Sequence, residues 1–370
     1  MKKPYLSSTN ELSIFLENNK DRKILILCGK KSFNDSGAKV FFEKLINNHR
    51  VKYYFKKYPY PDVDELKEII LYIKSYSPEL IIAVGGGSVL DYAKVANVLF
   101  DSLNIETEIA NSSYKLKKKF SQLVAIPTTA GSGAEVTANA VIYVNKVKYS
   151  VEGELIKPDL FFLLPELVFK ATKKIKASAG FDAIAQSVES LISKKSNDES
   201  VKFAVESLKI SLKNFIDYLN KPNIKNTSEM CLAANLSGKA ISISKTTAPH
   251  AVSYPFTSLY NISHGHAVSL TLSKFLKFNY QRVTSARCNF DLKKRYETIF
   301  KLFKVADIES LDNCLLEIQK KANLENDLEK LGIIIEKDYT KILSGVNLLR
   351  LSNNPVDLNQ DDLKSVLLKP

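Results

Sequence analysis

Between Lys23 and Pro127 short strand-like runs alternate with helix-length segments, and this alternation constrains the fold more than any other feature of the chain. "KILILC" (Lys23 to Cys28) reads as a buried strand, and "VKYYF" as the next. "DVDELKEIILYIKSY" has the spacing of an amphipathic helix. "ELIIAV" (Glu79 to Val84) is again a buried strand, "SVLDYAKVANVLF" a helix, and "QLVAIP" a strand ending at Pro127. Strands separated by helices pair in parallel, because a parallel neighbour needs a long crossover. From about Pro165 the character changes. "SAGFDAIAQSVESLIS", "DESVKFAVESLKISLKNFIDYL" and "SLDNCLLEIQKKA" have helical spacing with few strand signals. The expectation is an α/β dinucleotide-binding domain over residues 1–164 and an all-helical domain over 165–370. A chain of 370 residues is long enough for two such cores.

Bulk properties narrow the classes. The net charge of +13 concentrates in places such as "KLKKK" (Lys115 to Lys119) and "KKIK" (Lys173 to Lys176), but no nucleic-acid motif accompanies them. They read as solvated faces, and no nucleic-acid partner is expected. No apolar run reaches signal-peptide or membrane-spanning length, so no membrane partner is expected either. The four cysteines (Cys28, Cys231, Cys288, Cys314) are dispersed without a CxxC spacing, which fits a reducing cytoplasm.

Two loops point to a phosphate-bearing ligand. "IIAVGGGSVLDYAK" sets Gly85, Gly86, Gly87 and Ser88 between a buried strand and a helix start. Glycines there let the backbone approach a ligand, and the helix N-terminus attracts a pyrophosphate. Ser88 is placed to cap that helix and to donate its hydroxyl. "AIPTTAGSGAEVT" repeats the design at another strand end, with Thr128, Thr129 and Ser132 as hydroxyl donors. Two such loops on neighbouring strand ends form the crevice in which α/β sheets bind ligands.

The second half gathers three of the chain's four histidines into "ISKTTAPHAVSYPFTSLYNISHGHA": His250, His264 and His266. The fourth, His49, lies in a basic stretch and reads as incidental. Upstream, Asp182 and Gln186 are four residues apart on a helical pattern and share a face. Pro255 and Asn261 are read as breaks, so His250 and His264 come from two elements.

"GGGSVLDYAK" and "PTTAGSGAEVT" resemble the two signature segments of the iron-containing (group III) alcohol dehydrogenase family. The resemblance continues through "KYSVEGELIKPDLFFLLPEL", "AGFDAIAQSVES", the histidine segment and "NNPVDLNQDDLKSVL", almost the whole chain. It implies the dehydroquinate synthase-like fold, a Rossmann-like domain followed by a helical metal-binding domain, with the active site in the cleft between them. It also implies NAD(P)-dependent interconversion of an aldehyde and a primary alcohol, and one divalent metal. Cofactor contacts are expected from Gly86, Gly87, Ser88, Asp91, Thr128, Thr129, Ser132 and Lys148. Asp182, His250 and His264 match three ligand positions of the family. The fourth, ordinarily histidine, is Gln186, a weak donor, so zinc stands beside iron as the expected metal. Tyr254 replaces a histidine that many relatives carry near the nicotinamide, either as a proton donor or as a space-filling residue. The role of His266 stays open.

Two further departures bear on specificity. Lys245, Thr246 and Thr247 stand where commoner members carry small or apolar residues. An ammonium and two hydroxyls suit phosphate-like oxygens, and the segment resembles the phosphonoacetaldehyde reductase branch. Gly29 stands where NAD-preferring relatives place an acidic residue, with Lys30, Lys31 and Ser32 after it, so NADP is expected alongside NAD. The leading expectation is reduction of a small anionic aldehyde, phosphonoacetaldehyde first. The alternatives are a general alcohol or glycerol-type dehydrogenase, a non-redox dehydroquinate synthase-like lyase, and a binding protein without metal. A homodimer is compatible with each enzyme reading.

Overall fold

The computed structural model describes residues 7–46 and 50–368, so His49 and the first six residues lie outside the described residues. The chain divides into two compact units. One runs to Thr172 and takes in Asn223–Asn235; the other holds Lys173–Pro222 and the chain from Leu236 onward.

The first unit is built on strands β1 (Lys23–Gly29), β2 (Arg50–Lys56), β3 (Leu80–Gly85), β4 (Gln122–Pro127) and β7 (Leu160–Phe161), in the order β2-β1-β3-β4-β7. Every pairing in this sheet is parallel, as the alternating sequence pattern predicts. Side chains point alternately to the two faces. Leu25, Leu27, Ile81, Ala83, Leu123 and Ala125 meet the helices Val63–Tyr76 and Gly87–Ala96. Ile24, Ile26, Ile82, Val84, Val124 and Ile126 face the opposite cluster, with Leu12, Phe33 and Phe42. Burial on both faces explains why these strands read as unbroken apolar runs. Each buried Leu, Ile or Val contributes about 1.5–3 kcal/mol.

The order reverses between β1 and β3. The C-terminal ends of those strands, Gly29 and Gly85, therefore flank a topological switch point, the usual ligand crevice of such sheets. A hairpin of β5 (Asn139–Val144) and β6 (Val147–Glu152) turns on Asn145 and Lys146, both at positive φ (51° and 66°). The sequence carries no clear signal for it, because Asn-Lys lacks the glycine that usually marks such a turn.

The second unit contains the helices Lys173–Ile192, Asp198–Asn220, Ala248–Tyr260 and His264–Tyr280, with shorter helices closing the chain. Ala248, Val252, Phe256, Leu270 and Phe275 belong to its core. The expected break at Pro255 is not observed: the helix Ala248–Tyr260 runs through it. A proline leaves the carbonyl four residues earlier without its helical donor. Here that carbonyl, of Ala251, accepts from the Asn347 N–H at 3.4 Å. The break falls at Asn261, which caps the helix in the left-handed region (φ 54°). His250 and His264 consequently stand on successive helices.

Candidate active site

The helix Lys173–Ile192 carries Asp182, Gln186 and Glu189 at spacings of four and three, on one buried face. His250 lies in the first turn of the next contributing helix, and His264 opens the one after it. The two ring centroids are 5.3 Å apart. One ligand atom each from Asp182, His250 and His264 lies within 4.8 Å of the others. The Asp182 Oδ1 is 3.2 Å from His250 Nε2 and 3.9 Å from His264 Nε2. Asp182 and His250 are buried, whereas the His264 side chain is 35% exposed, leaving one side of the cluster open.

A carboxylate oxygen and two imidazole nitrogens converging on one point are the donors a divalent zinc or iron ion prefers. The residues present fit such an ion. Gly265 makes the convergence feasible: a Cβ there would lie 1.9 Å from the Ser178 carbonyl oxygen and 2.8 Å from Asp182 Cβ. Only glycine lets the His264 helix approach this closely.

Behind the cluster sits Glu189, fully buried. Its Oε2 is hydrogen-bonded to His250 Nδ1. Its Oε1 accepts from the Thr247 N–H and hydroxyl at 2.9 Å each, and from the His250 N–H at 3.4 Å. The carboxylate accepts a hydrogen bond from Nδ1–H, so the neutral ring presents its Nε2 lone pair toward Asp182 and His264, the tautomer a metal needs. Burial pushes the His250 pKa down, but Glu189 and Asp182 outweigh it and raise the value to about 9. Gln186 donates through Nε2 to Asp182 Oδ2 at 3.0 Å and accepts at Oε1 from Ser237 Oγ at 3.0 Å.

The lysine–threonine segment divides its functions. Lys245 is half-buried and adopts φ 61°, closing the helix Ile224–Ser244. The Thr246 side chain is hydrogen-bonded to the Tyr254 hydroxyl. Thr247 spends its hydroxyl on Glu189. Tyr254 itself is buried, with its ring 5.7 Å from that of His264. Burial pushes its hydroxyl pKa up, against the positive charge of Arg350. His266 is occupied elsewhere: its N–H donates to Ser178 Oγ at 3.2 Å, and Nε2 meets the Glu325 carbonyl at 2.7 Å.

In the first unit the two small-residue loops face each other. A Cβ on Gly87 would come within 2.9 Å of Ser132 Oγ, and one on Gly86 within 3.5 Å of Thr129 Oγ1. The Thr128 N–H donates to the Gly85 carbonyl at 2.9 Å, joining them at the strand ends. The capping role expected of Ser88 is corrected. Gly86 is the N-cap and has no side-chain bond, while Ser88 lies inside the first turn of Gly87–Ala96. Asp91 follows on that helix. Burial raises its pKa from 3.8 to about 6, against the nearby charges of Lys94 and Lys148 and a backbone bond at Val141. Lys148 stands on β6 opposite Tyr143. Gly29 ends β1, and the Ser32 hydroxyl donates back to its carbonyl at 3.1 Å. Lys30 and Lys31 are exposed.

Sequence reasoning missed Glu189, Ser237, Arg350 and the spacing role of Gly265. Glu189 had one local signal, its position seven residues after Asp182 on the same helical face.

Residues 6–165 match the iron-containing alcohol dehydrogenase family, and residues 176–369 match the C-terminal domain of the same family. Among curated proteins, the phosphonoacetaldehyde reductase of Streptomyces viridochromogenes is 28% identical over 227 residues, 59% of this chain and 57% of that protein. The NADPH-dependent butanol dehydrogenase of Clostridium saccharobutylicum is 26% identical over 374 residues, 95% of this chain and 92% of that protein. The solved sulfoacetaldehyde reductase of Bifidobacterium kashiwanohense, in complex with NAD+, superposes with a TM-score of 0.84 at 25% identity, covering 98% of this chain and 94% of its own. Matched in both halves, and with a carboxylate–imidazole cluster suited to a divalent metal, the chain belongs to the iron-containing alcohol dehydrogenase family.

Proposed function

We propose that the chain is an NAD(P)H-dependent, metal-assisted aldehyde reductase whose preferred substrate carries an anionic head, phosphonoacetaldehyde first. The observation that carries this reading is the convergence of Asp182, His250 and His264, with the Lys245–Thr247 segment running directly into it. Two relatives are named for reducing aldehydes with an acidic head, phosphono in one and sulfo in the other.

When bound, the metal supplies Lewis acidity toward the carbonyl oxygen and the nicotinamide supplies hydride. The protein's part is positioning and charge. Asp182, His250 and His264 hold the ion, and Glu189 holds His250 in its metal-binding tautomer. Tyr254 keeps its proton at neutral pH, so its hydroxyl is a donor toward an oxygen that gains negative charge. Lys245 pairs with the anionic head. Gly29, Gly86, Gly87, Ser88, Asp91, Thr128, Thr129, Ser132 and Lys148 form the cofactor side. Gly29 removes the carboxylate that would repel a 2′-phosphate, which favours NADPH. This reading assigns no role to membranes or nucleic acid.

The test is consumption of NADPH or NADH by metal-loaded protein with phosphonoacetaldehyde and with propanal. The expected result is a higher kcat/KM for the anionic aldehyde. Equal values would make the chain a general alcohol dehydrogenase, and no turnover with any aldehyde would overturn the redox reading.

A further inference from the structure

Gln186 occupies the position at which the family resemblance expects a fourth metal ligand. A carboxamide binds metals through oxygen, because its nitrogen lone pair is delocalised into the carbonyl. The orientation of that oxygen therefore decides what Gln186 does. Asp182, when ionised, offers only acceptors, so the amide group meeting its Oδ2 at 3.0 Å has to be the NH2 end. The oxygen then points the other way, to the Ser237 hydroxyl at 3.0 Å. Turning the amide over would set two acceptors against each other in a buried site, with Gln186 at 3% and Ser237 at 0% exposure.

We propose that Gln186 is a positioning residue and that the centre has three protein ligands. Ser237 orients the amide, and the amide pins Oδ2 of Asp182. Oδ1, which lies nearer His250 and His264, is thereby presented to the ion. A glutamine at this position exchanges a ligand for a carboxylate clamp and opens a coordination position to substrate or water.

The proposal rests on the reading that this cluster holds a divalent cation, and its test is read from the metal rather than from aldehyde turnover. Cobalt(II) is bound to the full-length wild-type protein and to Gln186→Ala, Gln186→His and Ser237→Ala. Affinity comes from chelator competition, and coordination number from the visible ligand-field spectrum. Gln186→Ala should weaken binding by roughly 10- to 100-fold, the usual loss for an outer partner of a ligand, with an unchanged spectrum. Ser237→Ala should weaken it in the same direction by a smaller factor. Gln186→His should tighten it and shift the spectrum, because an imidazole adds a donor.

Ser237→Ala separates the two roles even if Gln186→Ala folds poorly. Were Oε1 a ligand, deleting its competitor would leave affinity equal or higher. That result, or a changed coordination number in Gln186→Ala, would overturn the proposal, as would unaltered affinity in both variants. Wild-type protein that binds no cobalt would overturn it together with the metal reading. The expected cobalt results without aldehyde turnover would leave it standing and reject only the proposed reaction.

Discussion

His250 Nδ1 is hydrogen-bonded to Glu189 Oε2, and the other oxygen of that buried carboxylate takes the N–H and hydroxyl of Thr247 at 2.9 Å each. One side chain thus fixes both the ring and the backbone turn that delivers it. Glu189→Gln replaces an anion by an amide and removes the ring's fixed tautomer. Metal affinity measured by chelator competition should fall about 10- to 100-fold. An unchanged affinity would mean that His250 is oriented by packing alone.

Gly265 marks the closest approach in the cluster. A Cβ placed 1.9 Å from the Ser178 carbonyl oxygen cannot be relieved by a side-chain rotation, because the opposing atom is backbone. Gly265→Ala should destabilise the fold by at least about 2 kcal/mol. It should also displace His264, lowering metal content. A denaturant midpoint and metal content both equal to wild type would contradict the packing described.

Asp91 provides a pH signature. Its folded-state pKa of about 6 lies above the ordinary 3.8, with burial as the main cause. Between roughly pH 4 and pH 6 the folded chain keeps a proton that the unfolded chain has released, so stability falls as pH rises through this window. Asp91→Asn removes the ionisation and should be more stable than wild type at neutral pH by about 3 kcal/mol. The difference should vanish near pH 4 in paired denaturation curves. A difference independent of pH would remove Asp91 as its source.

The proposed acceptance of NADPH turns on Gly29. An aspartate there would bring its Cβ to 2.8 Å from Ser32 Oγ, which has to rotate away, and would set a carboxylate at the switch-point end of β1. We expect kcat/KM for NADPH to fall by roughly 30-fold or more, from a like-charge cost of about 2 kcal/mol or more, while NADH is retained. A wild-type preference for NADH unaffected by Gly29→Asp would refute this.

Lys245→Ala tests the anionic head. Losing one partner of a partly desolvated charge pair costs on the order of 2–4 kcal/mol, roughly a 30- to 1,000-fold drop in kcat/KM. The drop should appear with phosphonoacetaldehyde and be far smaller with propanal. Equal losses on both would make Lys245 a structural residue.

What the sequence disclosed follows the range of each interaction. The parallel sheet, the glycine loop and the histidine cluster are local patterns, visible as periodicity or as a run of one residue type. The partners of those residues are not local. Ser237 is 51 residues from Gln186, and Thr247 is 58 from Glu189, so no spacing rule connects them. Pro255 misled for a related reason. A proline signals a break unless a distant donor satisfies the carbonyl it strands, and that donor, Asn347, lies far along the chain. Ser88 looked like a cap because serine favours that position, but the glycine before it takes the extended backbone instead.

The proposed function depends most on Asp182, His250 and His264 forming one metal centre that turnover requires. The direct measurement is metal content by elemental analysis, together with NADPH consumption on phosphonoacetaldehyde, for wild type and His264→Ala. Wild type should hold about one equivalent of metal, in keeping with a single three-residue donor set, and the variant should lose both metal and turnover. Undiminished metal content in His264→Ala would contradict this assignment.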